Sequence, residues 1–322
     1  MALANPAITS DAVRARLERG SADVSGMIFK ALITLTIVIT LLVIGVLLYD
    51  VAHDGWAVLS TRPGEFLTGT LRSQAEEAGV FQGLRGTFWI GVFTIALAFP
   101  IGIGAAVYLE EYAPDTKVTR FIGINIRNLA GVPSVVYGIL GFAIFVKALA
   151  EVPTWVPLIG GNTFTGGRTT MAAGITLAVL VLPLVVITAS EAVRAVPDSI
   201  REAGFGVGAT RWEVVRSHVL PYAAPGIITG TILALARALG EAAPLILVGA
   251  VTGRLGQSGG LLDPSQLQDR FTAMPILITS WSGQPGEFQS ENAPAAIVVL
   301  LVVVLFANTA AILLRNRYEK KR

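Results

Sequence analysis

The sequence predicts an all-α integral membrane protein with six transmembrane helices, and three observations lead there. Hydrophobic residues make up 53% of the chain and charged residues only 14%, with a mean hydropathy of +0.67, whereas a soluble domain is charged at about a quarter of its positions. Six apolar runs each approach the roughly 20 residues that cross a hydrocarbon core. Lysine and arginine between those runs are distributed unevenly, as the positive-inside rule requires. The net charge of +2 is too mild to imply a nucleic-acid partner. The absence of cysteine excludes disulfides, thiol catalysis and cysteine metal sites.

Taken in order, residues 1–27 form a polar cytoplasmic segment. Ser10 and Asp11 can cap a short helix with Val13 and Leu17 on one face and Arg14, Arg16 and Arg19 elsewhere, which suits a helix lying on the membrane surface, or else a solvated tail. The first span, Ile28 to Tyr49, lacks a small-residue cleavage site and reads as a retained signal anchor. Further spans fall at about 86–109, 129–149, 171–190, 222–250 and 295–314, so residues 28–314 form one six-span domain, followed by a basic tail, 315–322. No internal period or linker marks a second domain.

Both ends then lie on one side of the membrane. That side holds Lys30, Lys117, Arg120, Arg127, Arg194, Arg201, Arg211, Arg216 and the basic tail; the other holds only Arg62, Arg72, Arg85, Arg168, Arg254 and Arg270. Both termini and the segment from Pro197 to Pro221 are therefore expected in the cytoplasm. The long outer segment from Val251 to Pro294 contains an apolar piece, Met274 to Trp281, too short to cross and expected along the outer interface. Gly102 with Gly104, Gly138 with Gly141, and Gly226 with Gly230 predict close helix packing. Pro100, Pro133, Pro183 and Pro244 predict kinks, each freeing a carbonyl one turn earlier.

Two places carry polar chemistry against this background. In the fifth span, Arg237 and Glu241 are four residues apart in an apolar helix, so they share a face and can pair. The pair is either architectural, setting helix rotation, or part of a substrate path. A guanidinium stays charged and can grip two oxygens of a tetrahedral oxyanion. Pro244 would add the freed Gly240 carbonyl beside Glu241. Lys147, near a span end, is expected to snorkel.

The second place is the polar interruption from Pro197 to Pro221. It reads as two short helices meeting at a corner, with Ser199 and Glu202 forming one capping box and Thr210 and Glu213 another. Gly208 supplies the permissive backbone at the corner, and Pro221 is expected to begin a new segment. The resulting knuckle should present Phe205, Val207, Trp212 and Val215. Glu202-Ala203-Gly204, then Gly208, then Leu220-Pro221, resembles the EAA loop of ATP-binding-cassette importer permeases. The resemblance implies a coupling helix that docks in a groove of a cytoplasmic ATPase, with Glu202, Ala203, Gly204, Phe205, Gly208 and Trp212 as docking residues. Gly204 stands where that family often has Ala, and is expected to loosen the knuckle by about 1 kcal/mol. His218 stands where an aliphatic residue is common.

The wider chain resembles the PstA-type permease subunit of bacterial phosphate importers, which have the type I ABC importer fold. The resemblance runs through AAVYLEEYAP from Ala105, GVPSVVYGILGFAIFV from Gly131, ILALARALGEAAPLILVGA from Ile232, MPILITSW from Met274 and the ending RNRYEKKR. RALGE is shared with the sister PstC type; MPILITSW and the ending favour PstA. The resemblance implies a plasma-membrane heterodimer with a PstC-type permease, two PstB-type ATPases that hold ATP and Mg, and a PstS-type external phosphate-binding protein. No cofactor and no catalytic residue is expected on this chain, which lacks a Walker-type loop. His53 and His218 are too isolated for a metal or catalytic cluster. A permease for sulfate, molybdate or an amino acid is the alternative transporter reading. A membrane enzyme would need clustered polar residues, and a channel would need no coupling knuckle.

Overall fold

The structure, a computed structural model, describes residues 24–152, 165–252, 260–263 and 267–319. The predicted surface helix before residue 24, Arg254 and the last three tail residues lie outside the described residues. Two compact units make up the chain, Met1–Val51 and Ala52–Arg322. Among the described residues the regular structure is entirely helical. That follows from burial in lipid, where every backbone group must be satisfied within its own segment.

Helix α1, Val24–Thr61, is apolar and exposed on all sides from Met27 to Tyr49, as expected of the first span. It continues past the predicted end, and its last turns belong to the second unit, where Gly55 meets the backbone of Ala295 and Val58 is buried. A short helix α2, Pro63–Thr68, leads to α3, Phe81–Val107. Then come α4, Lys117–Ala130, and α5, Ser134–Ala150, which meet at a bend of 100°. The central helix is α6, Thr170–Arg194. After the corner helix α7, Asp198–Gly206, a single helix α8 runs Arg211–Gly240, followed by α9, Ala243–Val248, α10, Met274–Ser282, and α11, Ala293–Glu319. Among the described residues five helices are long and apolar enough to cross a membrane, and the bent pair α4 and α5, taken as one span, raises the count to six.

Helix α6 is the core of the second unit, with two thirds of its apolar window buried against α3, α4, α5 and α8. In lipid, apolar side chains gain nothing by leaving a watery phase, so close packing carries this association. The glycines permit it. A Cβ on Gly102 would stand 2.7 Å from Val185, one on Gly226 2.8 Å from Ala192, and one on Gly138 2.7 Å from the Pro244 backbone. Gly141 and Gly230 meet Thr176 and Thr188 in the same way, whereas Gly104 faces open space.

The prolines behave differently from one another. Pro100 and Pro183 sit inside continuous helices, but Pro133 caps α5 and Pro244 lies in the first turn of α9, so both mark helix starts rather than kinks. Pro221 does not begin a segment, contrary to expectation. A π-helical turn at Val215–Val219 precedes it and widens the ladder, so α8 passes through the missing N–H without ending.

The segment from Met274 to Trp281 lies in the core, not along the outer interface: Met274, Ile276, Leu277 and Trp281 are buried against α3 and α11. Ring contacts Phe66 to Trp281 (6.2 Å) and Trp281 to Phe288 (5.7 Å) extend that packing. Arg62 ties down the loop between α2 and α3 by donating to the carbonyls of Ala75, Glu76 and Ala78 and to Asn292 Oδ1 at 3.0 Å. Arg85, only 2% exposed, faces Asp263 and Asp269. Burial raises the Asp269 carboxyl above the usual range, opposed by Arg85 and reinforced by Asp263.

The glycine contacts make a contrast two residues apart. Gly102→Val is expected to destabilise the chain by about 1–3 kcal/mol through overpacking against Val185. Gly104→Val should melt within about 0.5 kcal/mol of the parent in thermal unfolding followed in detergent. Equal melting of the two variants would contradict the packing described here.

Candidate functional site

The knuckle is built from its caps inward. Pro197, with ψ of 139°, is the residue before α7, so the helix begins at Asp198 and Ser199 falls inside the first turn. The predicted Ser199 and Glu202 capping box is therefore absent, because the helix starts two residues too early for it, with Pro197 at the N-cap. The helix closes with Ala209 N–H donating to Gly204 and Gly208 N–H donating to Phe205, and Gly208 adopts a φ of +85°. That is the Schellman arrangement, and it needs the glycine. The second box is present as predicted: Thr210 accepts from the Glu213 N–H while Glu213 accepts from the Thr210 N–H at 2.8 Å.

Gly204 is buried, and a Cβ there would stand 2.7 Å from Val214 Cγ2. The expectation that it loosens the corner is overturned, since the missing side chain is what lets α7 seat on α8. Val215 is also buried, at 1% exposure, and joins the core instead of the surface. What remains outward is Glu202 and Ala203 with Phe205, Gly208, Trp212 and Val207, the last 85% exposed.

Sequence reasoning missed the strut beneath this surface. The π-helical turn Tyr108–Tyr112 at the end of α3 carries Glu110 and Glu111. Arg194 pairs with Glu110 through two nitrogens, at 2.8 and 3.2 Å. Arg201 pairs with Glu111, whose side chain is mostly covered, at 2.8 Å and donates to the carbonyls of Val193 (3.0 Å), in the last turn of α6, and Val196 (2.6 Å), just beyond it. One guanidinium thus joins α3, α6 and α7 while adding hydrogen bonds to carbonyls at the helix end. Arg211 adds a cation–π contact over Tyr112 at 5.6 Å. The signal was the adjacent pair Glu110-Glu111 facing an Arg-bearing corner, legible only once the chain is folded.

The second site lies at the other end of α8. Arg237 Nε and Glu241 Oε1 are 3.4 Å apart, so the predicted pair forms. Its setting differs from the prediction. Helix α8 ends at Gly240, and Glu241 is extended, with ψ of 119°. The pair therefore spans a break in the fifth span rather than one face of a continuous helix. Arg237 is half-exposed and Glu241 mostly covered. Beyond the break, α9 packs on α5, where Gly138 makes room for the Pro244 backbone, and Gly249 ends α9 with a φ of +105°. A guanidinium beside a helix break, with one carboxylate partner, can exchange that carboxylate for an anion.

Comparisons with known proteins agree with this architecture. Residues 98–322 match the family described as binding-protein-dependent transport system inner membrane component. A probable ABC transporter permease protein, YqgI of Bacillus subtilis, is 33% identical over 80% of this chain and 84% of its own. The phosphate transport system permease protein PstA 1 of Mycobacterium tuberculosis is 31% identical over 86% and 84%. The phosphate transport system permease protein PstC of Mesorhizobium japonicum is also 31% identical, over 92% and 90%. Equal identity to PstA and PstC proteins leaves the two subunit types unseparated. Among solved structures, a bacterial alginate ABC transporter superposes with a TM-score of 0.56 at 15% identity, covering 88% of this chain and 92% of its own. An inward-facing MetNI methionine ABC transporter gives 0.52 at 17%, covering 74% and 94%. These two carry the fold, that of type I ABC importer permeases. The chain is thus a multi-pass membrane protein of the binding-protein-dependent transport system inner membrane component family.

Proposed function

We propose that this chain is the PstA-type permease subunit of an ATP-driven phosphate importer, forming half of the translocation path and coupling it to a cytoplasmic ATPase. The observation that carries the reading is Arg237 at the α8 break, half-exposed and held by Glu241. It supplies a fixed positive charge where a chain crossing lipid otherwise avoids one. Phosphate fits because the guanidinium fork matches two of its oxygens, and Glu241 can accept a hydrogen bond from a protonated phosphate oxygen. The names of the phosphate-system relatives support the same ligand.

On this reading a PstC-type permease supplies the other half of the path, and two PstB-type ATPases hold ATP and Mg. A PstS-type protein delivers phosphate from outside. The chain sits in a bacterial plasma membrane with both termini in the cytoplasm. Glu202, Ala203, Phe205, Gly208 and Trp212 contact the ATPase, with Gly204 seating the helix that carries them. ATP binding draws the ATPases together and pulls the knuckle. Arg201 and Glu111 pass that displacement to α3 and α6 as one body, and hydrolysis resets the path. The chain itself performs no hydrolysis.

Arg237→Ala is expected to lower phosphate uptake by about 10- to 100-fold, the loss of one charge-assisted contact set, while the assembly still purifies intact. Normal uptake would reduce the Arg237 and Glu241 pair to architecture. Glu202→Lys is expected to cut the ATPase recovered with the permease, measured by affinity purification and hydrolysis rate. Full recovery at the parental rate would remove the knuckle from the docking surface.

A further inference from the structure

Helix α4, between the end of α3 and the bend into α5, has a surface that neither the path nor the knuckle uses. It turns only Thr119, Gly123, Ile126 and Ala130 inward, toward α6, and buries none of them fully. Val118, Phe121, Ile122 and Leu129 form a second face one-third of a turn away, and they are 67%, 65%, 43% and 47% exposed. Lys117, Arg120 and Arg127 form a third, cationic side, also exposed. Arg120 reaches only Asp115, an exposed pair at 3.3 Å, and Arg127 has no carboxylate partner among the described residues.

We propose that α4 is an interfacial helix, lying in the plane of the membrane at the cytoplasmic leaflet and binding anionic lipid headgroups, rather than the first half of the third span. Direction is the first argument. Helix α4 makes 100° with α5, so when α5 crosses the bilayer α4 runs along its surface. Thr116 fixes the start of α4 by accepting from the Thr119 N–H, and the Tyr137 hydroxyl donates to the Leu129 carbonyl at 2.8 Å, holding the bend closed. The distribution of side chains is the second. A helix with one apolar face, a cationic side and low overall hydrophobicity partitions into the boundary between headgroups and acyl chains, not through it. Charge complementarity is the third. Each basic residue near an anionic leaflet is worth about fivefold in binding, and Lys117, Arg120 and Arg127 are all exposed, the two arginines at the rim of a groove shared with Glu191 and Arg194 of α6. The leaflet named rests on the orientation proposed above; the interfacial placement does not.

The chain has no cysteine, so one nitroxide can be placed at Phe121→Cys or Leu129→Cys in the assembled transporter, with thiols of the other subunits blocked. The assembly is reconstituted in vesicles of phosphatidylglycerol and phosphatidylcholine. Both labels are expected to be relaxed by dissolved oxygen and shielded from a water-soluble nickel chelate, with the reverse at Asp115→Cys. Changing the vesicles to phosphatidylcholine alone, with the protein unaltered, should raise nickel relaxation at Phe121→Cys, and K117Q/R120Q/R127Q should reproduce that rise. Shielding from both reagents would mean that another protein chain covers the face, and free access to nickel would put it in water; either overturns the proposal. Insensitivity to phosphatidylglycerol would overturn its anionic part. Phosphate uptake by the same vesicles reports separately on the transport reading.

Discussion

The constraint on which the structure depends is that no backbone N–H or carbonyl can be left open in lipid. It makes every described element a helix, and it governs where helices deviate. The ladder widens at Tyr108–Tyr112, Phe142–Val146, Val215–Val219 and Phe288–Asn292 without being abandoned. Pro221 shows the principle in one residue: its absent donor is absorbed by a π-helical turn, so the polar corner stays mechanically continuous with the helix that carries Arg237 and ends at Gly240.

Against that rule, two places where α-helix is given up acquire meaning. At Glu241 the helix ends inside the fifth apolar run, where Arg237 pairs with the Glu241 carboxylate, the Glu241 N–H donates to the Ala238 carbonyl, and α9 packs on α5. At the knuckle the helix ends take hydrogen bonds from side chains elsewhere in the sequence, chiefly Arg201 on carbonyls at the end of α6. One continuous helix, α8, joins the two places. A displacement applied at Trp212 is therefore carried by a rigid rod toward Arg237, about 38 Å for 25 residues. This is the physical content of coupling in the proposed importer.

Much of this was legible in the sequence, and the failures share a cause. The apolar runs, the Thr210 and Glu213 box, the left-handed Gly208 and the Arg237 and Glu241 pair follow from spacing and residue type alone. What escaped depends on contacts between distant segments. Gly204 reads as a weak helix residue until Val214 is seen against it. The pairings of Glu110 and Glu111 become visible only when the fold brings Arg194 and Arg201 to them. Met274 to Trp281 reads as an interfacial piece because length says nothing about the core beside it. The break at Glu241 was masked by Pro244, which predicts a kink in a helix and a start after a gap equally well. The functional assignment of Arg237, Glu241 and the docking residues rests on chemistry and resemblance together.

The central claim is that an anion delivered from outside and ATP hydrolysed inside are linked through this chain. The direct measurement is ATP hydrolysis by the assembly that purifies with it, reconstituted in lipid with its external binding protein loaded with phosphate or with sulfate. Phosphate loading is expected to stimulate hydrolysis and sulfate loading to leave it at the basal rate. Absence of any associated ATPase would contradict the coupling, and stimulation by sulfate alone would contradict the ligand.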